Sequence, residues 1–322
     1  MKRFDVAVIG GGVVGSMIAY TLQRRGLATV LFDAALRGSA SRASAGMLAP
    51  YPEGLSGQAL RWGEEGLERY PALLADLKRL GGEAVPAAFQ GTWMVATSDA
   101  ERARLEKHDP LPGWLERIRG ARGGRKDPGG YVHPERLRKA LQRAFLTLGG
   151  TRIKARIRSY EAGAASVTLS DGRQRWQADR LVVAAGAWSA AFGLPVRPVK
   201  GEALLLLATP PPAPVFVGEG YAVPRGRGLY VGATTREPRT PGVDLFGLRW
   251  LADFAHETFP HLEGARLAKA LWGYRPMAEA PIVSPIETRV FAATGHGRNG
   301  VLLAPATARK VAEWLGVSEG GK

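Results

Sequence analysis

The stretch Gly10-Gly11-Gly12-Val13-Val14-Gly15 has the G-x-G-x-x-G spacing at which a main chain can wrap a pyrophosphate. Gly10 permits a tight turn, Gly12 lets the backbone approach phosphate, and Gly15 lets the next helix pack on the preceding strand. The N–H groups and positive dipole end of that helix would then face the phosphates. Asp33, about twenty residues on, is a carboxylate placed for ribose hydroxyls. These residues describe a dinucleotide site and leave the choice of dinucleotide open. A second glycine-rich stretch, Gly295-His296-Gly297-Arg298-Asn299-Gly300, leads into Val301-Leu302-Leu303. A helix starting there could stabilise the negative charge that grows at N1 and O2 of a flavin on reduction. That favours FAD over a nicotinamide.

Other chemistries are excluded by composition. The 322 residues contain no cysteine, which removes disulfides, thiolate metal sites, Fe–S clusters, a cysteine nucleophile and a cysteinyl flavin link. The expected FAD is non-covalent. The five histidines (His108, His133, His256, His261 and His296) show no metal-ligand spacing, so no metal is expected.

The elements that must position these groups follow from apolar patterning. Phe4–Ile9 reads as a buried parallel strand, Val14–Arg25 as a helix ended by Gly26, and Thr29–Phe32 as a second strand closing on Asp33. Together they make a βαβ unit. Gly38–Pro50 reads as a loop, and Gln58–Leu80 as a helix that Pro71 breaks or kinks. Thr92–Thr97 reads as a strand, the interval Asp109–Gly130 as surface connection, and Pro134–Leu148 as a helix. Further strands are expected at Arg152–Ile157, Ser166–Leu169, Leu181–Ala185, Glu202–Leu207, Tyr221–Val223, Leu229–Ala233 and Val290–Ala293. Helices are expected over Phe246–Phe259 and Val301–Leu315. Parallel-type strands at the start, middle and end imply a discontinuous cofactor lobe interrupted by a second lobe.

The segments IGGGVVG, SRASAGMLAP, VVAAGAWS, VKGE, YAVPRGRGLYVGAT, WGYRP and GHGRNGVLLAPATA carry a resemblance. Together they resemble the FAD-dependent D-amino-acid oxidase/sarcosine oxidase family and, within it, the glycine oxidases of thiamine biosynthesis. The resemblance runs from the first strand nearly to the last helix. It implies an α/β fold (α+β overall), with a Rossmann-type FAD-binding lobe and an antiparallel-sheet substrate lobe. The FAD lobe is expected over 1–80, 131–200 and 270–322, and the substrate lobe over 81–130 and 201–269. The implied reaction is hydride transfer from a substrate Cα–H to flavin N5, with release of an imine and reoxidation by O2 to H2O2. No acid–base side chain is implied.

Besides the glycine turn (Gly10, Gly12, Gly15), the resemblance implies cofactor contacts at Val13, Val14, Asp33, Ala34, Ala40, Ser41, Ala45, Gly46, Met47 and Ile157. It adds the run His296, Gly297, Arg298, Asn299, Gly300, Val301 and Leu302. The implied substrate residues are Tyr221, Arg275 and Arg298. Arg275 would hold a carboxylate through two parallel hydrogen bonds. The chain departs from the family pattern at Glu219, where close relatives place a histidine near the active-site lid. It is also shorter, chiefly within Thr92–Gly130 and at the C-terminus.

The expected partners are a small amino-acid or amine substrate and O2, and a homo-oligomer is left open. A formal charge of +15 and a basic stretch from Arg117 to Arg158 raise nucleic acid as a partner. No aromatic platform accompanies it, so nucleic acid is disfavoured. Three alternatives stay in view: a D-amino-acid, proline or sarcosine dehydrogenase, an oxidoreductase similar to the FAD domain that trims a tRNA wobble uridine, and a non-catalytic FAD-binding subunit. No apolar run is long enough to span a bilayer, and the N-terminus reads as a first strand, so the expected location is cytoplasmic.

Overall fold

Phe4–Ile9 forms strand β1, which lies between two parallel neighbours and is buried along nearly its whole length. The computed structural model describes residues 3–237 and 240–317. Helix α1 (Val13–Arg24) follows the glycine turn, Gly26 ends it at φ +86°, and β2 (Thr29–Phe32) completes the βαβ unit. Next come α2 (Ala40–Ala43), β3 (Met47–Leu48) and the long helix α3 (Gly57–Gly81). Strands β4 (Ala87–Ala88) and β5 (Thr92–Ala96) precede short helices α4 (Asp99–Ala103) and α5 (Gly113–Glu116). Strands β6 (Gly123–Asp127) and β7 (Gly130–Val132) lead into helix α6 (Pro134–Thr147). Strands β8 (Thr151–Ile153), β9 (Ser159–Ala162), β10 (Val167–Ser170) and β11 (Arg175–Val183) follow. Then come β12 (Arg197–Leu207), β13 (Val215–Val217), β14 (Gly220–Arg225) and β15 (Gly228–Gly232). Helix α7 (Leu245–Thr258), β16 (Arg266–Glu287), β17 (Val290–His296) and helix α8 (Gly300–Trp314) complete the order.

Among the described residues one 14-stranded mixed sheet runs through the molecule, beside a small antiparallel sheet of β3, β7 and β4. Its parallel half is ordered β17-β11-β1-β2-β8. The other half, β5-β13-β14-β15-β12-β16 with β6 at its edge, is antiparallel apart from the β5–β13 pair. Strand β16 joins the halves by pairing with β12 along one length and β17 along the other. Strands β12 and β16 therefore cross the sequence-expected lobe boundaries at 200 and 270.

The main core lies under α1, α3, α6 and α8, where Ile18, Leu22, Tyr70, Leu141, Leu302 and Val311 are buried together. A second core fills the space beneath α7, with Leu204, Val231, Leu251 and Phe259. The βαβ unit and helices α3, α6, α7 and α8 fall close to their expected bounds, because their apolar periodicity reports this burial directly.

Several local expectations are corrected. Gly38–Pro50 is not loop throughout, since it contains α2 and β3. Tertiary bonds hold this small-residue segment: Tyr274 N–H donates to Gly38 O, and the Tyr230 hydroxyl to Ala43 O. Pro71 does not break α3, which continues around Tyr70 and Leu77 buried against the neighbouring helices. The 109–130 interval holds α5 and β6; β6 pairs with β5, and its GGRKD sequence lacks the apolar alternation of a half-buried strand. Strand β11 begins at Arg175 rather than Leu181, because its first part pairs with β10. The largest omission is β16. Its prolines argue against a regular strand; Pro281 and Pro285 fall at register shifts between Met277 and Ile282 and between Pro285 and Glu287, while Pro276 pairs in register with Pro198 of β12.

Candidate functional site

A cleft opens at the C-terminal ends of β1, β2 and β11, where ligands bind in open α/β sheets. It holds about 1740 Å³ of space outside the protein atoms, its open mouth included. Gly10 has φ +116°, and a Cβ there would meet Ala184 O at 2.2 Å. A Cβ on Gly15 would meet Gly10 O at 1.9 Å, so these glycines are fixed by backbone packing rather than by contact with a ligand. Gly15 accordingly does not line the cleft. Gly10, Gly12, Val13 and Val14 do.

The donor set fits a dinucleotide. The N-cap of α1, Gly12, has no side chain to cap the helix and its first turn holds no acidic residue, so its positive end faces the cleft. Ser41 Oγ accepts from Val13 N–H at 2.9 Å and fixes the loop across that end. Asp33 lies on the cleft wall, its Oδ1 accepting from Ala35 N–H at 2.9 Å, with further lone pairs available for ribose hydroxyls. The buried Ser44 Oγ has no hydrogen-bond partner among the described residues and belongs to a cleft-lining residue. Ala34, Ala40, Ala45, Gly46, Met47 and Ile157 also line it.

At the other end, β17 delivers His296 and Gly297 beneath the start of α8. This helix also has no side-chain cap bond and no acidic first-turn residue, so it presents a second positive end. Arg298, Gly300 and Val301 line the cleft. Asn299 serves as the α8 N-cap and accepts from Leu303 N–H, while the Leu302 side chain is fully buried in the core. The structure thus brings most of the expected residues together along the cleft, whose lining does not include Gly15, Asn299 or Leu302. Burial pushes His296 down to about 4, so the ring is neutral near neutral pH. Thr307 donates its one proton to Leu303 O, which leaves its oxygen to accept from His296 Nε2–H at 2.9 Å.

Tyr221, Arg275 and Arg298 converge on this same end. Tyr221 stacks on Tyr230 with centroids 6.1 Å apart, and the Arg298 guanidinium lies 5.6 Å from its ring centre. Arg275 Nη1 donates to Thr234 O at 2.9 Å and Thr235 Oγ1 at 3.2 Å. Its guanidinium lies flat against Gly201, where a Cβ would sit 2.5 Å from the central carbon. Among the described residues Nε and Nη2 have no partner, so that edge can take a carboxylate.

The strand that supplies Gly201 also supplies Lys200 and Glu202, whose side chains are buried almost completely. Lys200 Nζ lies 3.0 Å from Glu202 and 2.8 Å from Asp244, and Arg236 bridges the same two carboxylates. Thr234 Oγ1 donates to Glu202 at 2.9 Å, tying the network to the segment that holds Arg275. Burial acts to raise Glu202, yet its bonds to Arg236 and Lys200 hold it below the usual carboxylate range.

Glu53 was missed by the sequence reading. It sits on the turn between β3 and α3, with its side chain 6% exposed, 3.1 Å from Arg298. Burial raises its pKa, while Arg298 and Arg275 oppose that rise. Also missed were Ala184–Trp188, Thr294, Tyr230 and Tyr274 on the cleft wall. The glycine after an apolar parallel strand, Gly186, is a signal that could have found the first group. Nothing in the spacing around Glu53 marks it. Glu219 lies exposed on the β13–β14 turn and is not part of the cleft wall.

The basic stretch is divided among β6, α6, β8 and the segments between α5 and β6 and after β8. Several of its cations are paired: Arg125 with Asp127, Arg138 with Glu135, and Arg136 and Arg143 with Glu83. No described helix is long and apolar enough to cross a membrane.

Comparison with known proteins agrees with this geometry. The chain is 31% identical to a glycine oxidase of Bacillus licheniformis, over 98% of this chain and 93% of the relative. It is 30% identical to a bifunctional ThiO/ThiG protein of Trichormus variabilis, over 97% of this chain and 52% of that longer protein. The crystal structure of glycine oxidase from Geobacillus kaustophilus superposes with a TM-score of 0.89 at 28% identity, covering 99% of this chain and 96% of that one. The model of the DAO family, FAD dependent oxidoreductase, matches residues 5–314, and the chain belongs to that family.

Proposed function

We propose that the protein oxidises glycine, or another small amino acid or secondary amine, to the imine with release of H2O2. The observation that carries this reading is Arg275. Its guanidinium is held on one side by Thr234 and Thr235, and its other edge is left for a substrate carboxylate beside Tyr221. Two charge-assisted hydrogen bonds there contribute about 1.5–3 kcal/mol each. Bound FAD supplies the hydride acceptor for the substrate Cα, with O2 as the final electron acceptor.

The chain's own residues would provide position. Productive transfer needs Cα–H about 3–3.5 Å from its acceptor, and a carboxylate fixed on Arg275 restricts the substrate to few poses. The Tyr221 phenol supplies a further donor and, stacked on Tyr230, bounds a small pocket. The buried ring of His296 adds no positive charge, because burial keeps it neutral. The amine must be neutral when hydride leaves, and no proton-abstracting side chain is assigned. Similarity to the ThiO/ThiG protein supports use of the imine for the thiazole of thiamine.

Peroxide release from the purified yellow protein, assayed with glycine, sarcosine, D-alanine and D-proline, tests the substrate. Glycine or sarcosine is expected to give the highest kcat/KM. Turnover of D-proline alone would overturn the thiamine assignment.

A further inference from the structure

The substrate end of the cleft contains two guanidiniums, on Arg275 and Arg298, and one carboxylate, on Glu53. Arg298 Nε and Nη2 lie 3.1 and 3.4 Å from the two Glu53 oxygens. The pairing is built into the fold. Glu53 is carried by a tight turn closed by Glu53 N–H to Ala49 O at 3.1 Å and Leu55 N–H to Pro50 O at 3.1 Å. Its side chain is 6% exposed, whereas that of Arg298 is 37% exposed. Arg298 therefore stands at the solvent side of the site, while the turn beneath it carries the buried carboxylate. A buried carboxylate needs a cationic partner, and here that partner would otherwise be a second anion-binding group.

We propose that Glu53 is a specificity-determining residue: by occupying Arg298, it limits the site to substrates with one carboxylate. This rests on the reading that Arg275 takes the substrate carboxylate. An amino acid bearing a second carboxylate toward Arg298 must compete with Glu53 for the guanidinium and meets the Glu53 charge as well. A monocarboxylate does neither. The surplus cation of the site is then Arg275 alone, which matches one anionic group.

Ligand titration of the FAD-loaded protein tests this without turnover. Glycolate, with one carboxylate, and malonate or succinate, with two, are titrated against the flavin absorbance spectrum. In Glu53→Gln the preference for dicarboxylate over glycolate is expected to rise about tenfold, the size of one partly screened charge-assisted contact. Adding Arg298→Met to Glu53→Gln should abolish that gain. Measurement on the FAD-bound fraction separates these effects from misfolding. An unchanged preference in Glu53→Gln would overturn the proposal, as would a gain that survives in the double variant. Failure of the underlying reading looks different: neither ligand class would then depend on Arg275, whatever stands at position 53.

Discussion

At the scale of single residues, the site combines groups of opposite legibility. Arg275 and Tyr221 could be named from the motifs WGYRP and YAVPR, and the structure places both on the cleft wall. Glu53 could not, because a Tyr-Pro-Glu-Gly turn has the composition of any surface turn and only the fold turns it inward. Tyr221→Phe keeps the ring stack and removes one donor. Its KM for glycine should rise about 3–10-fold, the effect of one neutral hydrogen bond, with flavin content unchanged. An unaltered KM would show that the phenol does not reach substrate.

At the scale of elements, apolar periodicity revealed the helices and the parallel strands, since each buries one coherent face or both. It failed for β6, which has no apolar side chain, and for β16, where Pro281 and Pro285 fall at register shifts. Strand β6 is held by pairing with β5, and β16 by pairing with β12, distant in sequence, and with the adjacent β17. The network of Lys200, Glu202, Asp244 and Arg236 ties β12 to the start of α7 and stands behind Arg275. Its stability should depend on pH. Hydrogen bonds from Lys200, the Gly247 N–H and Arg236 lower Asp244 from 3.8, and Glu202 is lowered from 4.5. A carboxylate lowered on folding contributes stability that is present above its unfolded value and lost as pH falls through the folded one. Asp244→Asn should thus melt below the parent near neutral pH, and the gap should narrow below about pH 4. Melting curves across that range check this, and a gap independent of pH would contradict it.

At the scale of the molecule, one sheet serves two purposes. Its parallel half ends in the glycine turn and Asp33, while its antiparallel half presents Tyr221 and Arg275 from β14 and β16. The two positive helix ends, of α1 and α8, lie along the same cleft. That parallel strands are spread over the start, middle and end of the sequence was legible from their apolar runs. The continuity of the sheet through β12 and β16 was not, since pairing partners leave no mark in a single chain. The central claim is that this sheet holds FAD and an amino-acid carboxylate side by side, with Arg275 gripping the latter. Anaerobic titration with glycine, comparing flavin bleaching in the parent and in Arg275→Ala, tests it most directly. Bleaching should saturate in the parent, and the variant should keep its flavin but need at least about 150-fold more glycine, as expected from losing about 3 kcal/mol or more. Equal bleaching at equal glycine, or a variant that purifies without flavin, would contradict the account.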